Sequence, residues 1–291
     1  WRAARKAERR WPAKGRFIEV AGVRPHYLDR GSGPPLVLLH GNGAMAADFE
    51  ASGLIDRLEL SFRVIAIDRP GFGYSARPRG RSWNAQQQAY LIGDALRHIG
   101  IGRAIVLGHS WGTLVALELA LERPQCVAAL VLVSGYYFPS IRSDVALTLP
   151  QATPLLGDIL NHTIMPALAK HAAPFMLRKI FAPRGVPARF TAAFPMDLAL
   201  RPKSLHASAR EEFLAVDDAL IRLLERALSQ ADDGRDRARL LARLARELLS
   251  DPLAANRRRD LIDQAVALAP RDADVLDARL HALWDPDGAA D

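Results

Sequence analysis

The segment running from Ala104 through Gly108-His109-Ser110-Trp111-Gly112 to Glu122 constrains this chain more than any other. An apolar, β-branched run stops at Gly108, and an apolar run with helical periodicity begins at Thr113. A strand must therefore turn sharply into a helix within a GxSxG sequence. Such a turn holds Ser110 in a strained conformation at its tip, with a glycine on each side so that neighbouring backbones can approach. The hydroxyl is then presented at the carboxyl edge of a sheet and at the positive end of a helix. These are the requirements of a nucleophile, and Ser110 is the candidate catalytic residue.

Two further motifs belong to the same edge. Leu38-Leu39-His40-Gly41-Asn42-Gly43 closes an earlier apolar run. Attack by a serine on a carbonyl creates an oxyanion that needs two aimed donors. The backbone N–H groups of Asn42 and of Trp111, the residue after the serine, are the candidates. Asp68-Arg69-Pro70-Gly71-Phe72-Gly73-Tyr74-Ser75 reads as a turn over that edge, with Asp68 structural. His40 and His109 are read as shaping backbone, and His26 and His98 as surface or packing residues. His162, His171 and His206 lie in a region from which an imidazole could reach Ser110. The catalytic acid and histidine are not identified.

The surrounding pattern is α/β. Arg16 to Val20 and Val23 to Leu28 flank Ala21-Gly22 and read as a tight hairpin. Continuous apolar runs at Leu36 to Leu39, Val64 to Ile67, Ile105 to Leu107 and Leu130 to Val133 read as strands covered on both faces. Helical patterns at Ala85 to Ile99 and Thr113 to Glu122 alternate with them, which predicts a mostly parallel sheet. After Val133 the texture changes: nine of the 19 prolines and three of the four methionines fall between Pro139 and Pro202, which predicts short, broken helices. From Phe213 it changes again to Ala/Leu/Arg helices over Phe213 to Gln230, Asp236 to Ser250, Arg257 to Ala269 and Ala273 to Trp284.

Charge is uneven along the chain. Of the formal net charge of +7, the first 16 residues carry +6 and residues 217–291 carry −4, leaving +5 on the body. Only five of the 39 basic residues are Lys, a coding bias rather than a phosphate-binding patch, so no nucleic-acid partner is expected. The chain opens at Trp1 with no Met, and its basic arm is of the kind that flanks a membrane anchor, the alternative being a solvated arm. A cytoplasmic or membrane-associated location follows. The single cysteine, Cys126, allows no internal disulfide, and neither a metal site nor a cofactor is expected.

In order and content, the hairpin, HGN, DRPGFGYS, GHSWG and LVLVSG motifs of residues 17–212 resemble the α/β-hydrolase superfamily, with 136–212 in the place of its helical cap. The resemblance implies a catalytic histidine after the last strand and an acid after an earlier one, neither of which this sequence shows, and it implies that the usual last strands are lacking. Relatives with an elbow aspartate include haloalkane dehalogenases and epoxide hydrolases. With Ser110 there instead, hydrolysis of a small hydrophobic ester, thioester or related acyl substrate is implied. Residues 213–291 resemble, by composition and by a repeat of 35 to 38 residues, tetratricopeptide-like helical repeats of bacterial transcriptional regulators. A protein partner is the expectation for that segment, and a catalytically inactive, hydrolase-derived binding protein or a fused or truncated product is the alternative reading. The expected organisation is a basic arm at 1–16, a core at 17–135, a cap at 136–212 and an α-helical segment at 213–291.

Overall fold

The computed structural model describes residues 2–81, 83–135, 156–213, 218–232, 234–248 and 255–283. Two compact units are present, Trp1–Tyr136 with Ile141–Ala215, and Tyr137–Ser140 with Val216–Asp291.

The first unit is built on one sheet of β1 (Arg16–Phe17), β2 (His26–Arg30), β3 (Pro35–Leu39), β4 (Arg63–Ile67), β5 (Ala104–His109) and β6 (Val127–Val133). Their order is β1-β2-β4-β3-β5-β6. β3 pairs in parallel with β4 and β5, and β5 with β6, while β1 and β2 add antiparallel strands at the other edge. The parallel strands are linked by α2 (Ala46–Ala51) and α3 (Leu54–Leu58), then α4 (Ala85–His98), then α5 (Gly112–Glu122).

Because β4 and β5 flank β3 on opposite sides, the chain reverses its winding there. The carboxyl ends of β3 and β5 therefore form a switch point, where open α/β sheets bind ligands. The apolar runs explain the strands: Val37, Leu38, Leu39, Val64, Ile65 and Ala66 are fully buried, as strands with both faces covered require. The hairpin follows from Ala21 and Gly22, whose φ angles of 49° and 72° place both in the left-handed region between bridged Val20 and Val23. Asn84 caps α4 by accepting the Gln87 N–H at 2.9 Å.

The basic arm is neither detached nor solvated as a whole. Residues Arg2–Arg10 form α1, which buries Ala7 in a cluster with Met45, Phe190 and Leu198. Arg201 donates to Glu8 at 2.6 Å, and Arg10 meets Asp197 at 3.3 Å. After the sheet come α6 (Leu156–His162), α7 (Met165–Phe181), α8 (Ala188–Ala193), α9 (Met196–Ala199) and α10 (Pro202–Phe213). Phe213 thus ends a helix of the first unit rather than opening the helices of the second.

In the second unit, α11 (Asp218–Gln230), α12 (Arg235–Glu247), α13 (Ala255–Leu268) and α14 (Ala273–Leu283) enclose their own core, centred on Leu241, Leu244, Ile262, Ala265 and Val275. The Asp272 side chain accepts the Asp274 N–H at 3.1 Å at the start of α14 and pairs with Arg235 at 2.8 Å.

β6 departs from expectation. Its Val-Ala-Ala-Leu-Val-Leu-Val sequence reads as a strand covered on both faces, yet it is terminal among the described strands, and Val131, Leu132 and Val133 are each about 40% exposed. Continuous apolarity records what a strand can bury, not what covers it. An apolar edge without charge is a template for self-association. Val131→Lys is expected to reduce concentration-dependent light scattering while changing the unfolding free energy by less than about 1 kcal/mol, as for partly exposed positions.

Candidate active site

The turn between β5 and α5 has the geometry that the motif requires. Ser110 has φ 51°, the left-handed region, which costs a non-glycine residue about 1 to 2 kcal/mol. Packing on all sides imposes it. The Ser110 N–H donates to the Val133 carbonyl of β6 at 2.9 Å, and its own carbonyl accepts the Thr113 N–H at 2.9 Å and the Thr113 hydroxyl at 2.6 Å. A Cβ on Gly108 would lie 2.6 Å from the Gly112 carbonyl oxygen, and one on Gly112 would lie 2.6 Å from that of His40. Only glycine fits either position. The loop after β3 closes over the same point, since a Cβ on Gly41 would stand 3.0 Å from the Ser110 Cβ.

Four residues around that loop are committed to holding it. His40 is fully buried; its Nε2 accepts the Arg69 N–H at 2.9 Å, so the proton sits on Nδ1, which donates to the Gly41 carbonyl at 2.8 Å. Burial, reinforced by the Arg69 charge, pushes its pKa down to about 3. His40 is therefore a neutral structural imidazole with both nitrogens occupied.

Arg69 is fully buried and grips the Glu211 carboxylate with two hydrogen bonds of 2.5 and 3.0 Å. It also donates to the carbonyls of His40 at 2.7 Å and Gly41 at 3.0 Å, and to Gln88 at 3.1 Å. Its guanidinium lies over the Phe72 and Trp111 rings, 4.9 and 4.7 Å from their centroids. Glu211 is on α10, 142 residues away in sequence.

Asn42 and Trp111 are both drawn into this framework by their side chains. Asn42 Nδ2 donates to the Ser208 carbonyl at 3.1 Å, and Trp111 Nε1 to the Glu211 carbonyl at 3.2 Å. Both residues thus tie the Ser110 region to α10 through their side chains.

Asp68 is structural, as its motif suggests. Its carboxylate accepts the N–H groups of Ala46 and Tyr74, each at 2.8 Å, and His26 Nδ1 at 2.7 Å. Burial opposes ionisation, but the His26 hydrogen bond and charge, with the Tyr74 N–H, hold the carboxyl below its usual range. His26 is a buried packing residue whose Nε2 accepts the Gly15 N–H at 3.2 Å. His26 and Asp68 form an imidazole–carboxylate pair that sequence reasoning did not find, because its members lie 42 residues apart.

The remaining histidines are dispersed. His98 and His171 are exposed and bond to carbonyls one turn earlier in their own helices, each at 2.8 Å. His162 is exposed at the end of α6, and His206 is partly buried on α10. On α10 Ser204, Ala207, Ala209 and Glu211 are buried. His281 lies in α14 of the second unit. Among the described residues, no imidazole is hydrogen-bonded to the Ser110 hydroxyl, and no cluster of His, Cys, Asp and Glu is suited to a metal. Asp48, on α2, was not singled out by any motif; burial raises its carboxyl pKa, and the nearby His109 opposes the rise.

Residues 34–176 match the alpha/beta hydrolase fold family. Haloalkane dehalogenase 2 of Mycobacterium tuberculosis is 34% identical over 130 residues, 45% of either chain. A 2-hydroxymuconate semialdehyde hydrolase of a Pseudomonas strain is 37% identical over 131 residues, 44% of this chain and 46% of that protein. The chain thus spans under half the length of these curated relatives. In structure, a candidate epoxide hydrolase of Pseudomonas aeruginosa superposes with a TM-score of 0.60 at 22% identity, covering 76% of this chain and 75% of that one. The likeness is one of fold.

Two predictions follow from the buried groups. Glu211→Ala leaves the Arg69 charge buried and unpaired, so it is expected to lower the unfolding free energy by about 3 to 5 kcal/mol in urea titration. Asp68 has a folded pKa below its unfolded value, so its contribution is present above about pH 4 and is lost as pH falls through the folded pKa. Asp68→Asn is therefore expected to be less stable at pH 7 and to show a shallower loss of stability between about pH 5 and 2 than the parent.

Proposed function

We propose that this chain, whose residues 34–176 match the alpha/beta hydrolase fold family, is a serine hydrolase acting through an acyl-enzyme on Ser110. One observation carries the reading: Ser110 is a non-glycine residue held at φ 51° where β5 turns into α5, directly against the loop that follows β3. In the proposed reaction the Ser110 hydroxyl oxygen attacks the carbonyl carbon as its proton passes to solvent hydroxide, and the leaving alkoxide or thiolate later takes a proton from water. The carbonyl oxygen takes the charge and is stabilised by the Asn42 and Trp111 backbone N–H groups, and the tetrahedral intermediate collapses with departure of the alcohol or thiol. Water then hydrolyses the acyl group and restores Ser110.

The substrate class is a small hydrophobic ester or thioester. It is supported by the apolar helical segment in the place of the superfamily's cap, where Leu177, Val186, Phe190, Phe194 and Met196, with Lys170 and Arg178 beside them, line a cavity of about 430 Å³. The chemistry of the dehalogenase relative is disfavoured by particular contacts. Ser110 stands where those enzymes carry a nucleophilic carboxylate. The Asn42 and Trp111 side-chain N–H donors, which would suit a halide, are engaged with the carbonyls of Ser208 and Glu211.

With no imidazole bonded to the hydroxyl among the described residues, activation is slow, and the aimed donors supply what rate there is. A fluorophosphonate probe is expected to label the chain at Ser110 only, with Ser110→Ala abolishing the label. The labelling rate is expected to rise with hydroxide concentration between about pH 7 and 9, rather than levelling near 7 as it would with a histidine base. A cooperatively melting sample that takes no label would reject the hydrolase reading in favour of a hydrolase-derived binding protein.

A further inference from the structure

Outside the elbow, the most unusual surface of the first unit is the outer face of α6 and α7. Leu168, Phe175, Met176 and Ile180 recur at the spacing of one face of α7, and Ile159 and Ile164 precede them. All six are more than half exposed, with Phe175 at 66% and Ile180 at 70%. This is not a helix that lacks a core. Its opposite face buries Ala173 and packs Leu177 and Phe181 against the cluster of Phe190, Phe194 and Leu198. α7 is therefore apolar on two sides, and only one of them is covered by the protein.

Charge identifies what covers the other. Residues 159–193 contain five Lys and Arg and not one Asp or Glu. Arg178 and Lys179 of α7 are exposed beside the apolar stripe. α1, anchored through Ala7 in the same cluster as Leu177 and Phe181, adds the exposed cations Lys6 and Arg9. An apolar contact with a second copy of the chain gives no reason for 35 consecutive residues without a carboxylate. A nucleic acid would satisfy the cations but offers no hydrocarbon to Phe175, Met176 and Ile180. A surface with anionic headgroups over acyl chains satisfies both at once.

We propose that the outer face of α6 and α7 docks in the plane of an anionic lipid bilayer, with Phe175, Met176 and Ile180 inserted below the headgroups and Arg178 and Lys179 among them. Spanning is a different matter: no helix among the described residues is long and apolar enough to cross a membrane. The site is independent of the proposed chemistry at Ser110, and it does not require residues upstream of Trp1.

The test uses the full chain in flotation with vesicles of phosphatidylcholine alone or mixed with phosphatidylglycerol. The parent is expected to float with the anionic vesicles only, with binding that weakens as salt is raised. Phe175→Ser with Ile180→Ser, and separately Arg178→Gln with Lys179→Gln, are each expected to weaken that binding about tenfold or more. Thermal melts are expected to match the parent's, because every substituted side chain is exposed. Failure of the folded parent to float, or equal flotation of parent and both variants, overturns the proposal. So does a parent dimer in light scattering that Phe175→Ser dissolves in the absence of any vesicle binding, which would assign the face to a second copy.

Discussion

The guanidinium of Arg69 and the carboxylate of Glu211 are both withdrawn completely from water, and almost every feature of the candidate site touches one or the other. Arg69 follows β4, yet its hydrogen bonds run to the His40 and Gly41 carbonyls after β3 and to Gln88 on α4. Glu211 brings α10 to the same point, and its backbone carbonyl accepts the Trp111 indole N–H beside Ser110. A buried ion pair contributes little net stability, because desolvation offsets most of the attraction. What it contributes here is a single arrangement: the connection after β3, helix α4 and the distant α10 converge on one guanidinium with a fixed fork geometry. An alternative packing of α10 would leave a full charge in the core.

That arrangement explains which parts of the site could be read from sequence. The elbow is written locally, because Gly108, Ser110 and Gly112 encode a backbone shape and the apolar runs on either side encode the elements it joins. The hairpin at Ala21-Gly22 and the strands from Leu36 and Val64 are legible for the same reason. Glu211 is not legible. In Ser208-Ala-Arg-Glu-Glu-Phe it resembles any helix surface carboxylate, and the sequence assigns the segment to the approach of an acidic repeat. Its partner is 142 residues away, and a long-range pair has no local signature. His26 with Asp68 escaped notice on the same grounds, at 42 residues' separation.

β6 and α7 show the converse problem, in which hydrophobicity is legible and its destination is not. Both carry apolar residues at the right period for their element, and for both the sequence implies burial. Burial depends on what lies opposite. β6 is last among the described strands, and its Val131 and Leu132, on opposite faces of the sheet, are each about 40% exposed. α7 buries one apolar face and exposes another, and residues 159–193 around it hold no carboxylate. Locating charge thus did more than counting it. The net charge of +7 suggested little, whereas its distribution separates a basic helical face from an acidic second unit.

The strain at Ser110 bears on how far geometry alone argues for catalysis. A left-handed serine persists only where its surroundings over-determine it. Here Gly108, Gly112, the Val133 carbonyl and the loop at Gly41 all do so, and none of them depends on a general base. The scaffold that aims the hydroxyl is consequently separable from the group that would deprotonate it. His40 makes the separation concrete: it precedes Gly41 in the loop that closes on Ser110, yet both its nitrogens are bonded and burial pushes its pKa down to about 3. An imidazole that holds a loop cannot also take a proton from a nucleophile. Arg69, His40 and Glu211 are arranged to fix backbone, and under the proposed reading the chemistry falls to the positioned hydroxyl and the backbone donors beside it.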